Sequence, residues 1–366
     1  MKTHTQLKKL LLLRVFVTLS VVVLISYITT VSIAQERVAY TTIEESGEDY
    51  SIQGEYVGGM KQGGLFRTRV GLQVIARGES KFEAVLLSGG LPGAGWDGSD
   101  KVTLTGSSSN GVTNLTNDEN GIIVSIIDGT ANVQDSARGS AVGKLRRIER
   151  VSPSLGLEPP EEAVVVFDGS NTDQFEDGAQ MTEEGLLMQG ALLGFGVSDF
   201  RLHFEFKTPF MPNSVGQARG NSGVYIQRRY EVQILDSFGL DGVQNECAAL
   251  YRQKAPDVNM CLPPLQWQTY DIYFRAARWN QAGEKTENAR ITVYHNGVPV
   301  HTNYEIIAKT GAGQQEAPTK MPILLQNHSD PVRYQNIWLI HADDSVFEES
   351  TPDEREGLLK RLRRRA

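Results

Sequence analysis

Alternation of apolar and polar residues is the strongest pattern in the second half of the chain. It is clearest in residues 221–236, NSGVYIQRRYEVQILD, where Val224 and Ile226 alternate with polar neighbours and Val232 and Ile234 resume the pattern. A period of two is typical of strands with one buried face, so this stretch predicts two β-strands joined by a short turn. The opposite, solvent-facing side then carries Tyr225, Gln227, Glu231 and Gln233.

Asp236 departs from this alternation. Strict parity would direct its side chain into the core, where an unpaired carboxylate is costly. One extra residue near Leu235, a β-bulge, would return Asp236 to the side of Glu231 and Gln233. The pattern therefore predicts two carboxylates and an amide on one open face. The alternative is that Glu231 and Asp236 are ordinary charges on a strand and its turn.

Further alternating runs predict an antiparallel β-sandwich without crossover helices. In residues 199–207, Leu202, Phe204 and Phe206 face the core, which places His203 and Glu205 on the other side. Two interpretations of Glu205 stay open: a solvated ladder of paired charges, or a second carboxylate beside Glu231. The other predicted strands lie at residues 164–167, 265–274, 289–295, 323–328 and 334–339.

The first half of the chain is rich in glycine. Nineteen of the 36 glycines lie in residues 47–143 and separate short apolar runs, which predicts a smaller all-β domain over residues 40–150 with a sandwich, barrel or turn-rich form. Its loop GGLPGAGWDG displays Trp96, which either stacks on a sugar ring or fixes the shape of the loop. Prolines in residues 151–162 predict a semi-rigid linker to a second domain at 163–345, followed by a charged tail at 346–366.

The amino terminus resembles an export signal. Residues 2–14 carry four basic residues and residues 15–34 carry no charge, which fits a signal peptide or a retained membrane anchor over residues 1–34. Both outcomes place the rest of the chain outside the cytoplasm, and the second would associate it with a membrane. In an oxidising compartment Cys247 and Cys261 form one disulfide or remain two buried thiols.

The formal net charge of the 366-residue chain is −8, and loss of the basic leader would make it more acidic. Binding to nucleic acid depends on Lys and Arg neutralising phosphates, so this composition argues against a nucleic-acid partner. A neutral carbohydrate suits it better. The sequence indicates no protein partner.

Specific motifs support a carbohydrate ligand. Residues 221–225 and 230–237 resemble the core signature of the bacterial 3-keto-disaccharide hydrolase domain family, and the glycine-rich region resembles one that often precedes it. Phe167-Asp168-Gly169, the run ending in Tyr251, and Gln326-Asn327-His328 match further motifs of that family. The family commonly has Trp-Asn where this chain has Trp267-Gln268, which leaves a catalytic role for Gln268 in doubt. The resemblance implies a concanavalin-like jelly roll whose concave sheet forms a cleft.

The resemblance also implies a reaction. A ketone at C3 of a sugar acidifies the C2 hydrogen, so a base can remove that proton and expel the C1 substituent before water adds. The base would be Glu231 or His328, the acid would be the other or Asp236, and Glu205 is a further candidate. Substrate binding would fall to Asn221, Tyr225, Gln233, Tyr251, Trp267 and Gln326.

Three alternatives remain open at this stage. No cofactor is certain, but Glu231, Asp236 and His328 offer oxygen and nitrogen ligands for a divalent cation. A non-catalytic, lectin-like surface module would need the same cleft without paired ionisable groups. A surface adhesion protein would instead expose a large apolar patch on the first domain.

Overall fold

The structure is a computed structural model that describes residues 37–61, 67–99, 101–137 and 139–342. The predictions for the leader at 1–34 and the tail at 346–366 lie outside these residues. Within them, a single α-helix, α1 (Gly47–Ile52), accompanies twenty β-strands, which confirms the all-β class. No helix in the described ranges is long and apolar enough to cross a membrane.

The glycine-rich region forms a closed antiparallel barrel, one of the three forms that the sequence predicts. Each strand pairs with the next along the chain, and the eighth pairs with the first. Alternate residues such as Tyr56, Leu72 and Leu104 fill the interior. At the turn after the sixth strand Asp128 and Gly129 both have positive φ, as a two-residue hairpin requires. The strands are β1 (Gly54–Lys61), β2 (Arg67–Ala76), β3 (Lys81–Ser88), β4 (Lys101–Ser109), β5 (Val112–Asn117), β6 (Ile122–Ile127), β7 (Thr130–Asp135) and β8 (Ser140–Ile148).

The rest of the described chain forms a β-sandwich with an extensive apolar core between a larger and a smaller sheet. In the larger sheet the order is β10-β20-β11-β14-β17-β18, with β9 beside β20. Its strands are β9 (Val164–Phe167), β10 (Leu187–Met188), β11 (Phe200–Lys207), β14 (Gln268–Arg275), β17 (Ala289–His295), β18 (Val298–Ile306) and β20 (Arg333–His341). The smaller sheet has the order β13-β12-β19 and contains β12 (Ser222–Ile226), β13 (Tyr230–Ile234) and β19 (Leu324–Leu325). A separate pair consists of β15 (Arg278–Trp279) and β16 (Lys285–Glu287).

The β12–β13 hairpin has the predicted alternation of faces. Val224 lies opposite Val232, and Tyr225 lies opposite Glu231. Three residues, 227–229, connect the strands in a tight turn, and Gln227 and Arg228 there both adopt positive φ. The β-branched residues of both strands enter the core, so Tyr225, Glu231 and Gln233 share the other face as the alternation predicts.

That face is not open to solvent, contrary to the prediction. An irregular segment that contains Ala249 and Tyr251 runs beside β13. The backbone N–H of Gln233 donates to Ala249 O, and the backbone N–H of Tyr251 donates to Glu231 O. Thr310 covers the face from another loop, where its Oγ1 accepts a hydrogen bond from Glu231 N at 2.7 Å. The two segments that cover this face come from other parts of the chain. The local alternation of apolar and polar residues therefore cannot predict them.

The linker at 151–162 is held against the outer face of the larger sheet. Ser152 Oγ lies 2.6 Å from Thr269 Oγ1, and Gly156 N donates to Glu205 Oε1 at 2.6 Å. Cys247 and Cys261 remain free, buried thiols, and Cys247 Sγ lies 3.2 Å from Tyr270 Oη.

Candidate functional site

Glu231 is the central residue of the candidate site. Its side chain projects from β13 on the face away from the core, and only 3% of its surface is exposed. Burial raises the pKa of Glu231 to about 7, while a hydrogen bond from Tyr225 acts in the opposite direction. The Tyr225 hydroxyl donates to Glu231 Oε2 across 2.7 Å. A carboxyl group with its pKa near neutrality can exchange protons at physiological pH.

Side-chain amides form one wall of the site. An atom of the Gln233 amide lies 3.1 Å from Glu231 Oε1, and with nitrogen in that position the amide donates to the carboxylate and to Ser222 O. Asn221 is also buried here, and its Nδ2 donates to Gln217 O at 2.8 Å. Asn221, Tyr225 and Gln233 thus lie in the group around Glu231, where the sequence analysis placed them.

Two oxygen atoms converge above Gly223. A Cβ atom built on this glycine would lie 2.6 Å from Glu231 Oε1 and 3.3 Å from Gln326 Oε1, so any side chain here would occupy the space in front of the carboxylate. Gln326 Oε1 is buried and has no hydrogen-bond partner. A buried acceptor without a donor is unusual, and a ligand hydroxyl would satisfy it.

Gly311 and Tyr251 separate Glu231 from solvent. A Cβ atom at Gly311 would lie 3.0 Å from the Tyr251 ring and 3.5 Å from Glu231 Oε2. Gly311 itself is exposed, and Tyr251 and Gln326 are half-buried.

Asp236 does not join Glu231, so the prediction of a shared face is wrong for this residue. Its carboxylate accepts a hydrogen bond from Arg219 Nε at 2.6 Å. The same guanidinium donates to Ala76 O of the barrel at 3.1 Å. Asp236 follows the end of β13, and its buried charge is compensated by Arg219, a partner seventeen positions earlier that alternation does not reveal.

Glu205 lies on the larger sheet, so the open interpretation that pairs it with Glu231 is also wrong. It accepts hydrogen bonds from Gly156 N, Gln335 Nε2 and Asn336 Nδ2 beneath the linker. Its neighbour His203 is fully buried, with Nδ1 2.9 Å from Asp271 Oδ1. This buried cluster also differs from the solvated charge ladder, the other interpretation.

Two further candidates lie away from the contacts around Glu231. Trp267 precedes β14 of the larger sheet, where Lys207 Nζ lies 5.1 Å from the centre of its ring. His328 is exposed beyond the end of β19, and the hydrogen bonds that surround Glu231 do not include it. Among the described residues, no group of three His, Cys, Asp or Glu side chains is close enough to hold a metal ion. The ligand set of Glu231, Asp236 and His328 is therefore not assembled.

Sequence reasoning missed several residues of the site. Gln217 and Thr310 contact it from loops, and Gly223 and Gly311 leave space beside the carboxylate. Gly223 lies within the motif that resembles the family, and it is the cross-strand partner of Gln233. A glycine at such a position in a strand was the signal from which space beside the carboxylate could have been predicted. Gln217 and Thr310 carry no local signal because their loops contact β13 only after the chain folds.

Comparison with known proteins agrees with a carbohydrate-active domain. Residues 162–340 match the model of the 3-keto-α-glucoside-1,2-lyase-like domain, the family that the motifs of this region resemble. No curated protein matches the chain.

Solved structures that match part of this chain include candidate glycosyl hydrolases from Parabacteroides distasonis. One is 27% identical and has a TM-score of 0.45, and the match covers 50% of this chain and 85% of the other. A second is 22% identical and has a TM-score of 0.35, with coverage of 49% and 98%.

Proposed function

We propose that the carboxy-terminal domain cleaves the glycosidic bond of 3-keto glucosides or 3-keto disaccharides, with Glu231 as the base. The observation that carries this proposal is the buried Glu231 carboxyl group, whose pKa is raised to about 7 within a wall of amide and phenol groups. The match of residues 162–340 to the 3-keto-α-glucoside-1,2-lyase-like domain supports the choice of a 3-keto sugar. The leader at 1–34 would place this activity outside the cytoplasm.

The reaction begins with transfer of the C2 proton to the Glu231 carboxylate. The electron pair of the C2–H bond enters the C2–C3 bond, and the ketone oxygen becomes an enolate oxygen. When the ketone forms again, the electrons make a C1–C2 double bond, the C1–O bond breaks, and the departing oxygen takes a proton from solvent. Addition of water across the double bond completes hydrolysis. A base with a pKa near 7 is well matched to this first step.

The polar wall supports the substrate in this proposal. Gln326 Oε1 accepts a sugar hydroxyl, because it is a buried acceptor beside Glu231 and lacks a donor. The amide of Gln233 holds the carboxylate and limits its rotation. Entry of the sugar requires displacement of the chain at Gly311, which lies over Glu231 Oε2.

The decisive variant is Glu231→Gln, which keeps the shape of the side chain and removes the base. Wild type and variant are incubated with 3-keto-trehalose and 3-keto glucosides, and with their unoxidised parents. We expect cleavage of the 3-keto sugars to fall at least about a hundredfold in the variant. Glu305→Gln, an exposed change on β18, is the control for charge and folding. Full turnover by folded Glu231→Gln protein would show that the assignment is wrong.

A lectin-like binding module is the second candidate. It is favoured by the isolation of Glu231, because Asp236 is paired with Arg219 and Glu205 lies on the other sheet. A two-carboxylate glycosidase mechanism has no partner for Glu231 among these predicted candidates. Retention of the protein on an immobilised 3-keto glucoside without any cleavage would support this alternative.

A further inference from the structure

Five basic side chains form a patch on the outer surface of the barrel, far in sequence from Glu231. They lie on the adjacent strands β2, β1 and β8, and all are exposed. We call this group the Gly59 patch, because it surrounds that glycine; it consists of Lys61, Arg67, Arg69, Lys144 and Arg146. In a chain with a net charge of −8, such a concentration of one sign needs an explanation.

The strand register brings three of these cations around one point. Gly59 is the cross-strand partner of Arg69 on β2 and of Lys144 on β8. The stem of Arg67 also lies close, 3.5 Å from the position of a Cβ atom on Gly59. Strands are about 4.8 Å apart, so Arg69 and Lys144 flank a trough about 10 Å wide, with Gly59 on its floor and the stem of Arg67 beside that glycine. This arrangement concentrates positive charge around Gly59.

In the described part of the barrel, no acidic side chain neutralises the patch. Among the residues that the structure describes, none of the five cations forms an ion pair. The next strand presents Asn132 opposite Lys144 and Thr130 opposite Arg146, and neither is charged. Glu55 is on β1, but both its carboxylate oxygens accept hydrogen bonds from Arg150. Surface cations that lack partners attract an external anion with little competition.

We infer that the Gly59 patch binds an acidic polysaccharide, with a carboxylate or sulfate group over Gly59. Several cations in a row suit a polymer with repeated anionic groups, since each contact adds to the others. The choice of a glycan rests on the proposed function of the carboxy-terminal domain.

The sharpest test inserts one negative charge without removing any cation. Gly59 has ordinary contact distances around a built Cβ atom, so the barrel can accept a side chain there. Gly59→Glu places a carboxylate in the trough, and Gly59→Gln is its neutral control of the same shape. Binding of the full chain to dextran sulfate and to alginate is measured by co-sedimentation, with neutral dextran as the reference polymer.

We expect the wild-type protein to bind both acidic polymers with an affinity that falls as the salt concentration rises. It should not bind neutral dextran. Gly59→Glu should bind about ten- to a hundredfold more weakly than Gly59→Gln. The double variant Arg69→Glu/Lys144→Glu should lose binding, whereas Lys81→Glu/Lys320→Glu, with the same change in net charge outside the patch, should keep it. Equal loss in both double variants would overturn the inference.

Binding to vesicles of phosphatidylglycerol and phosphatidylcholine tests whether the patch binds an anionic lipid surface instead of an acidic polysaccharide. Binding to these vesicles but to neither polysaccharide would overturn the choice of a glycan. Cleavage of 3-keto glucosides is measured in the same variants and should be unchanged, because the patch shares no residue with the Glu231 site. Failure of the patch and failure of the proposed function therefore give different results.

Discussion

Tyr225 and Glu231 face each other across the β12–β13 hairpin, and the phenol O–H of Tyr225 donates to Glu231 Oε2 across 2.7 Å. The carboxyl group is otherwise shielded from water, which raises its pKa to about 7. Tyr225 moderates this effect, because a hydrogen bond to an ionised carboxylate favours the charged form. The pair therefore sets the pH at which Glu231 can act as a base.

The first prediction concerns the pH dependence of cleavage in Tyr225→Phe. If ionised Glu231 is the base, kcat/KM in wild type rises with pH and levels off above about 7. Without the phenol hydrogen bond the pKa of Glu231 rises further, so the midpoint should move up by about one to two pH units. Profiles of kcat/KM against pH measure it. Tyr294→Phe, on the larger sheet, should leave the midpoint in place, and an unchanged midpoint in Tyr225→Phe would contradict the base assignment.

The second prediction concerns folding stability in Glu231→Gln. Between pH 4.5, the ordinary value, and about pH 7 the folded chain keeps a proton that the unfolded chain has released. The free energy of unfolding of wild type therefore falls as pH rises through this window, by up to about 3 kcal/mol. Glutamine does not titrate, so the variant lacks this loss.

Urea unfolding at pH 4 and pH 8 measures the difference. Relative to wild type, Glu231→Gln should be more stable at pH 8 than at pH 4. Glu305→Gln, which changes an exposed side chain, should show almost no such dependence. The same relative stability of Glu231→Gln at both pH values would show that the Glu231 carboxyl group titrates normally.

The sequence predicted the hairpin well because its information is local. Val224 and Val232 are apolar residues at a spacing that only a strand can bury on one side, and both lie in the core. The same argument placed Tyr225 and Glu231 together on the other face. The motif match also named Gln326, whose Oε1 lies near Glu231 Oε1 above Gly223.

The failures share one physical cause, namely partners that are distant in sequence. The position of Asp236 is fixed by Arg219 and by a barrel carbonyl, and neither follows from the period of β13. Glu205 and Glu231 belong to similar alternating strands, but those strands lie in different sheets. Loops that contain Thr310 and Tyr251 convert a predicted open face into a covered one.

The third prediction separates stability from activity at Asp236. Asp236 and Arg219 are both buried, and Arg219 also donates to Ala76 O in the barrel. Asp236→Asn leaves the guanidinium charge uncompensated and should reduce the free energy of unfolding by about 3–5 kcal/mol. Replacing both residues with leucine should cost less, because no buried charge remains.

Denaturant unfolding of these variants measures the loss, and assays at low temperature measure kcat of the folded protein. We expect Asp236→Asn to retain kcat close to that of wild type under conditions where it is folded. A large fall in kcat with unchanged stability would restore Asp236 to a role in the reaction.

The last prediction contrasts two buried histidines. Burial acts to lower the pKa of His203, but the hydrogen bonds and charges of Asp271 and Glu205 outweigh it and raise the value overall. His301 is also buried, but burial lowers its pKa to about 4, and its Nε2 lies 2.7 Å from Ala248 O. Protonated His203 therefore stabilises the fold, whereas His301 stabilises it in the neutral form.

The two histidines should respond to pH with opposite signs. The stabilisation from His203 is complete below pH 6.5 and is lost as pH rises through its raised pKa, so His203→Gln should cost more at pH 5 than at pH 9. The stabilisation from His301 is present above pH 6.5 and is lost as pH falls toward about 4, so His301→Gln should cost more at pH 8 than at pH 4. Denaturant unfolding across this range measures both. The same sign for both variants would show that Asp271 and Glu205 do not hold a proton on His203, and that the cluster beneath the linker is neutral at that position.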